Sequence, residues 1–110
     1  MGGEDFCIAA HSYTTQGKYY FSWDEAMELL KADGLTTFTK DQALICNNNL
    51  NEINDILKKI DGDTFKDGWF WTITEHNDDE AGVFYGDVND LCIYDSLKNN
   101  CYSVRTIINL

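Results

Sequence analysis

Gly68-Trp69-Phe70-Trp71-Thr72-Ile73-Thr74-Glu75 is the stretch on which the fold reading turns. Aromatic and β-branched residues crowd it, and such side chains favour the pleated, half-buried surface of a strand. Alternation puts Trp69, Trp71 and Ile73 on one face and Phe70, Thr72 and Thr74 on the other. A second segment, Tyr102-Ser103-Val104-Arg105, has the same character and opens a strand predicted over residues 102–108. Residues 75–80 (Glu-His-Asn-Asp-Asp-Glu) read as a polar hairpin loop. Residues 81–86 and 91–94 read as further strands, and residues 97–100 as a turn.

Upstream of Gly68 the period changes. Ser22 followed by Glu25 has the spacing of a capping box, and Trp23, Ala26, Met27 and Leu30 form an amphipathic stripe. Gly34 suits a left-handed helix end. Thr39 with Gln42 repeats the box and opens a second helix, which the Asn47-Asn48-Asn49 run should break. A third helix is predicted from Asn49, with Glu52 at the box position and Leu50, Ile53, Leu57 and Ile60 as its apolar stripe. Asp61-Gly62 ends it. Before the first helix, residues 4–10 and Lys18-Tyr19-Tyr20-Phe21 read as short strands around a polar turn. Helices segregated from a run of antiparallel strands argue for an α+β class, not a doubly wound parallel sheet.

Composition bounds what such a domain does. The chain has 110 residues, enough for one domain over 1–110 and too few for two. Its first residues, Met1-Gly2-Gly3, are consistent with a vector-derived start or a native one. No basic and apolar leader is expected, and no apolar run approaches the length of a membrane span. Net charge is −11, which argues against binding nucleic acid or anionic membrane, since both require a basic surface. It leaves cations and basic protein surfaces as partners. The four cysteines, Cys7, Cys46, Cys92 and Cys101, form no C-x-x-C pair. They are read either as buried thiols or as including a Cys92–Cys101 disulfide.

Four short motifs resemble a known family, a C-type lectin-like domain of unknown function carried by bacterial and phage surface proteins. The family is marked by W-x-x-A, G-W-R-L-P-T, Y-W-S-S-T-E and Y-x-V-R in that order. Here the positions read Trp23-Asp24-Glu25-Ala26, then Gly34-Leu35-Thr36-Thr37-Phe38-Thr39, then Phe70 to Glu75, then Tyr102 to Arg105. The second block keeps only Gly34 and Thr39 of its pattern. The resemblance covers about residues 17–108. It implies a C-type lectin-like fold: two to three helices on a twisted antiparallel sheet, with N- and C-terminal strands adjacent. It also implies an extracellular or cell-surface setting and a non-enzymatic recognition module for a protein or glycan.

Within that reading the binding residues are expected in the loops between the two opening segments: Tyr85, Asp87, Asn89, Asp90, Tyr94, Asn99 and Asn100. Asn, Asp and Tyr together give the amphipathic, adaptable surface of evolved binding loops. Trp23, Trp69 and Trp71 are expected to build core, with a sugar-stacking platform as the alternative. Arg105 is expected to brace the fold through Glu75 or a loop carbonyl, with an anion contact as the alternative. No metal site, catalytic residue or cofactor is expected. His11 and His76 have no second ligand at metal spacing, and no nucleophile motif occurs. Two other functions stand beside the first. One is a small acidic cytoplasmic protein that masks a basic partner or mimics nucleic acid. The other is calcium-dependent carbohydrate binding, suggested by Asn89-Asp90 before Cys92, although calcium needs roughly six to eight oxygen ligands.

Overall fold

In a computed structural model, residues 5–66, 68–86 and 93–110 are described. The strand signature forms β3 (Trp69–Glu75), which pairs antiparallel with β4 (Glu80–Tyr85), and β4 in turn with β5 (Ile93–Leu97). A second three-stranded sheet has the order β1 (Phe6–Ile8), β6 (Thr106–Asn109), β2 (Thr36–Thr37). The single twisted sheet of the sequence reading is therefore two small antiparallel sheets. Strand β6 takes β1 on one side, with Phe6 opposite Asn109, and β2 on the other, with Thr36 opposite Ile107. The first and last strands thus lie side by side. An isolated bridge from Phe70 of β3 to Ser103 ties the large sheet to the segment that leads into β6, and a second joins Phe21 to Tyr102. The strand predicted over 102–108 is accordingly broken: its first half bridges to the large sheet, and only its end is regular.

Three helices complete the α+β architecture: α1 (Trp23–Asp33), α2 (Lys40–Asn48) and α3 (Leu50–Lys59). Their ends show which local signals acted. Thr39 caps α2 through a full capping box, its hydroxyl accepting from Gln42 N while Thr39 N donates to the Gln42 side chain. Ser22 stands at the start of α1 without a side-chain cap bond. The Glu25 carboxylate, the other half of the box expected there, accepts from Lys18 Nζ instead, while the first helical N–H, Trp23 N, donates to the Lys98 carbonyl at 2.9 Å. Asn49 makes no side-chain cap for α3 either. Its Nδ2 donates back to Ile45 O at 2.8 Å and closes α2 instead. Gly34, with φ of 70°, ends α1 as expected, and Asp61, with φ of 61°, ends α3 in the same left-handed conformation. Lys18–Phe21 is not a strand. Gln16 and Gly17, both at positive φ, fold the chain onto itself, and only Thr15–Lys18 and Phe21–Tyr102 bridge.

Two hydrophobic clusters flank the large sheet, as the alternation of β3 and β4 dictates. Trp71 and its cross-strand partner Val83 join Phe21, Trp23, Ala26, Leu30 and Val104 on the α1 side. Phe70 and its partner Phe84 join Phe38, Ala43, Leu50, Leu57 and Phe65 on the side of α2 and α3. Past Trp71 the register slips, so that Glu75 faces Ala81. The irregularity bends β3 off β4 and lets Ile73 N donate to Phe38 O at 2.7 Å. The alternation expected through Ile73 and Thr74 is lost for that reason.

Candidate functional site

The tryptophans separate by depth. Trp71 is fully buried and donates its indole N–H to Phe21 O at 2.6 Å; Trp23 is nearly buried and donates to Thr72 O at 2.9 Å. Both are core, with the polar edge of each ring satisfied. Trp69 shares a strand face with Trp71 but is 38% exposed. It is the first residue of β3, at the edge of the cluster beneath α1, so its indole lies only partly within the core.

Around Trp69 three tyrosines gather. Its cross-strand partner Tyr85 lies with ring centroids 4.6 Å apart, Tyr94 of β5 at 5.8 Å and Tyr102 at 6.0 Å. The interplanar angles are 36°, 47° and 33°, all tilted. Tyr102 also sets its ring against Trp71, centroids 4.9 Å apart, which ties the surface group to the core. Tyr94 is 46% exposed. A polar edge borders the rings: the Tyr102 hydroxyl and Ser96 Oγ are 2.8 Å apart, and Asn100 Nδ2 donates to Ser96 Oγ at 3.0 Å. The result is a strand-held aromatic surface with a hydrogen-bonding rim.

The structure divides the residues expected to bind. Tyr85 and Tyr94 come together at Trp69, and Asn100 reaches the rim through Ser96. Asn99 lies elsewhere, in a cleft of about 360 Å3 whose lining includes Ser22, Asp24, Asp78, Asp79 and Lys98. Asp87, Asn89 and Asp90 lie outside the described residues, as does Cys92; Cys101 carries an exposed free thiol. The sequence reading did not place Tyr102 and Ser96 in the site. Tyr102 belongs to the Y-x-V-R motif, which speaks to the fold alone. Its signal was an amphipathic ring on a strand paired beside Trp71.

Arg105 is wholly buried and braces the fold. Nη1 donates to Ala9 O at 3.2 Å and Nη2 to Asp63 O at 2.8 Å, while the guanidinium carbon lies 4.2 Å from the Phe65 ring centroid. The anchors are loop carbonyls. Glu75, the alternative expected partner, instead accepts from Lys98 Nζ at 2.6 Å. Burial pulls the Arg105 guanidinium down to about 10, against a smaller opposing effect of Asp63 and then Cys46. The buried Cys46 thiol is pushed up to about 12 by burial, partly countered by Arg105, so near neutrality it is a protonated apolar group and not a thiolate nucleophile.

The remaining contacts between titratable side chains lie at the surface. His11 Nδ1 lies 3.4 Å from Asp63, while His76 Nδ1, at 3.3 Å, and Lys40, at 2.5 Å, share Asp95. Ser12 N donates to the Asp63 carboxylate, which holds its pKa below the usual range. In the acidic loop Asn77 Oδ1 accepts from Asp79 N and Glu80 N, so the side chain organises a turn. Among the described residues no group of three or more His, Cys, Asp or Glu is arranged to hold a metal ion. A groove of about 570 Å3 runs between α2, α3 and β1. Its lining is aliphatic and aromatic but for Asp5, Cys46 and Asn49. Among the described residues no helix is long and apolar enough to cross a membrane. Compared with known proteins, the chain matches no protein-family model and no curated protein sequence.

Proposed function

We propose that the chain is a non-enzymatic recognition module with a C-type lectin-like fold, which binds a protein or a glycan through the aromatic surface around Trp69. The observation that carries this reading is the exposure of Trp69 among Tyr85 and Tyr94 on paired strands and Tyr102 on a bridged segment. Seven of the fifteen aromatic residues of this chain are buried in the core. Four gathered at one surface, backed by Trp71 and edged with hydroxyl and amide groups, form the kind of anchor patch that interfaces use. Held on strands, they lose little freedom on binding. The lectin-like fold is supported by the side-by-side first and last strands and by the motif positions. Trp23 and Ala26 are buried on α1, Thr39 caps α2, and Tyr102 and Ser103 bridge to Phe21 and Phe70. With that fold goes the setting that the resemblance implies, a bacterial or phage surface.

The test is a parallel screen of the wild-type chain and Trp69→Ala against panels of neutral glycans and of peptides. Melting curves establish that both proteins are folded. The reading expects ligands that the wild type binds and the variant loses. It fails if every ligand bound by the wild type is held equally well by Trp69→Ala.

A further inference from the structure

The aromatic surface and the charge of the chain point to the same class of ligand. The chain carries nineteen acidic and eight basic residues. Of the basic ones, Lys18, Lys40 and Lys98 are tied to Glu25, Asp95 and Glu75, and Arg105 is buried. The other lysines, Lys31, Lys58, Lys59 and Lys66, sit at the ends of α1 and α3 and in the turn after Phe65. The field around the molecule is negative. It attracts cations and repels nucleic acids and acidic glycans.

The chain also shows how its own rings and cations associate. Lys98 Nζ lies 4.5 Å from the Trp23 ring centroid, the Arg105 guanidinium 4.2 Å from Phe65, and Lys18 Nζ 5.7 Å from Phe21. Ring faces carry negative quadrupole potential, and indole is the strongest of them. Among the described residues no cation lies over Trp69, the one tryptophan that solvent reaches to any large extent. A planar guanidinium stacks on such rings while its N–H fork donates to nearby oxygens. Ser96 Oγ and the Tyr102 hydroxyl, hydrogen-bonded to each other at the rim, are oxygens that carry acceptor lone pairs.

We propose, resting on the recognition reading above, that the surface formed by Trp69, Tyr85, Tyr94 and Tyr102 takes an arginine-bearing segment of a basic protein. A neutral glycan would use the rings but would leave the acidic field without effect on binding. An arginine segment uses both. The field brings it in and the rings distinguish arginine from lysine, because a compact, strongly hydrated ammonium stacks less well than a guanidinium.

The test titrates the full chain with two peptides of equal length and charge, one an arginine–serine repeat and the other a lysine–serine repeat, and with a neutral hexasaccharide. Calorimetry is run at low salt and near physiological salt. The arginine peptide should bind, more tightly than the lysine peptide, and more weakly as salt rises. Trp69→Ala should weaken arginine-peptide binding by about three- to thirtyfold, the range of a cation–π contact, with its melting curve showing a folded protein. Equal binding of the two peptides, unaffected by Trp69→Ala, would reduce the interaction to charge alone and overturn the proposal. Trp69-dependent binding of the hexasaccharide with no binding of either peptide would overturn it too, while leaving the recognition surface intact. If Trp69→Ala changes the binding of none of the three, both readings fall.

Discussion

Replacing Arg105 with alanine should lower stability by about 3 kcal/mol, a figure set by effects of opposite sign. The guanidinium makes two hydrogen bonds, at 2.8 Å to Asp63 O and 3.2 Å to Ala9 O. Each charge-assisted bond contributes about 1.5–3 kcal/mol. Truncation also leaves a cavity beside Phe65 and Phe70. At roughly 24 cal/mol per Å3, a void of about 80 Å3 costs about 2 kcal/mol. Against these stands the cost of burying the charge. Burial holds the guanidinium at about 10, well below the ordinary arginine range, which corresponds to roughly 3 kcal/mol regained when the charge is removed.

Arg105→Met separates the two sides of this balance. It fills much of the space and removes the charge together with its hydrogen bonds, so its loss should be smaller, about 1 kcal/mol. Urea titration gives the free energies, and thermal melting should drop by about 12 °C for the alanine variant, at roughly 4 °C per kcal/mol. A pH series adds a signed check. Arg105 is a base whose folded pKa lies below its unfolded one, so its penalty is fully present below pH 10 and relieved as pH rises from about 10 to 12.5. Across that window the wild type should gain stability relative to Arg105→Met. An alanine variant melting within about 2 °C of the wild type would refute the bracing role, and so would a methionine variant less stable than the alanine one.

Thr39→Ala should cost about 1 kcal/mol and Ser22→Ala only a few tenths, because the Thr39 box is formed and the Ser22 hydroxyl makes no cap bond; equal urea midpoints for the two variants would contradict this. Cys46 is an acid raised on folding from 9.0 to about 12, so the stability tied to its neutral form is present below pH 9 and lost as pH rises toward 12. Between pH 9 and 10 the wild type should therefore lose up to about 1.4 kcal/mol relative to Cys46→Ala, read from urea midpoints at the two pH values. Gly86 packs so closely on the Phe65 backbone that an added Cβ would lie 1.8 Å from its carbonyl oxygen. Gly86→Ala should cost more than about 2 kcal/mol, or leave the chain unfolded in near-ultraviolet circular dichroism.

What the sequence disclosed and what it concealed divide along a physical line. Helix α2 was legible down to its cap, because Thr39 and Gln42 meet within one turn and depend on nothing else. The box at Ser22 has the same spacing and is not formed, because the Glu25 carboxylate that would complete it accepts from Lys18 Nζ on both oxygens. Local pattern decides a helix end only where no tertiary partner competes. The period of β3 holds for Trp69 through Trp71, where pairing with β4 is regular, and fails in the slip before Glu75, where Ile73 N donates to Phe38 O outside the sheet.

The site follows the same division. The sequence marks Tyr85 and Tyr94 as side chains suited to binding, yet its spacing from Trp71 points Trp69, the residue that gathers them, to the core. Period two fixes which face a side chain shares. It says nothing of how far the covering layer extends along that face. At Trp71 the cluster beneath α1 surrounds the indole; at Trp69 its edge has been reached, with the same face and the same residue type. Burial here is a property of the neighbouring helix, which the strand's own sequence does not contain. Substitution at Trp69 should for that reason affect binding more than folding, and substitution at Trp71 folding before anything else.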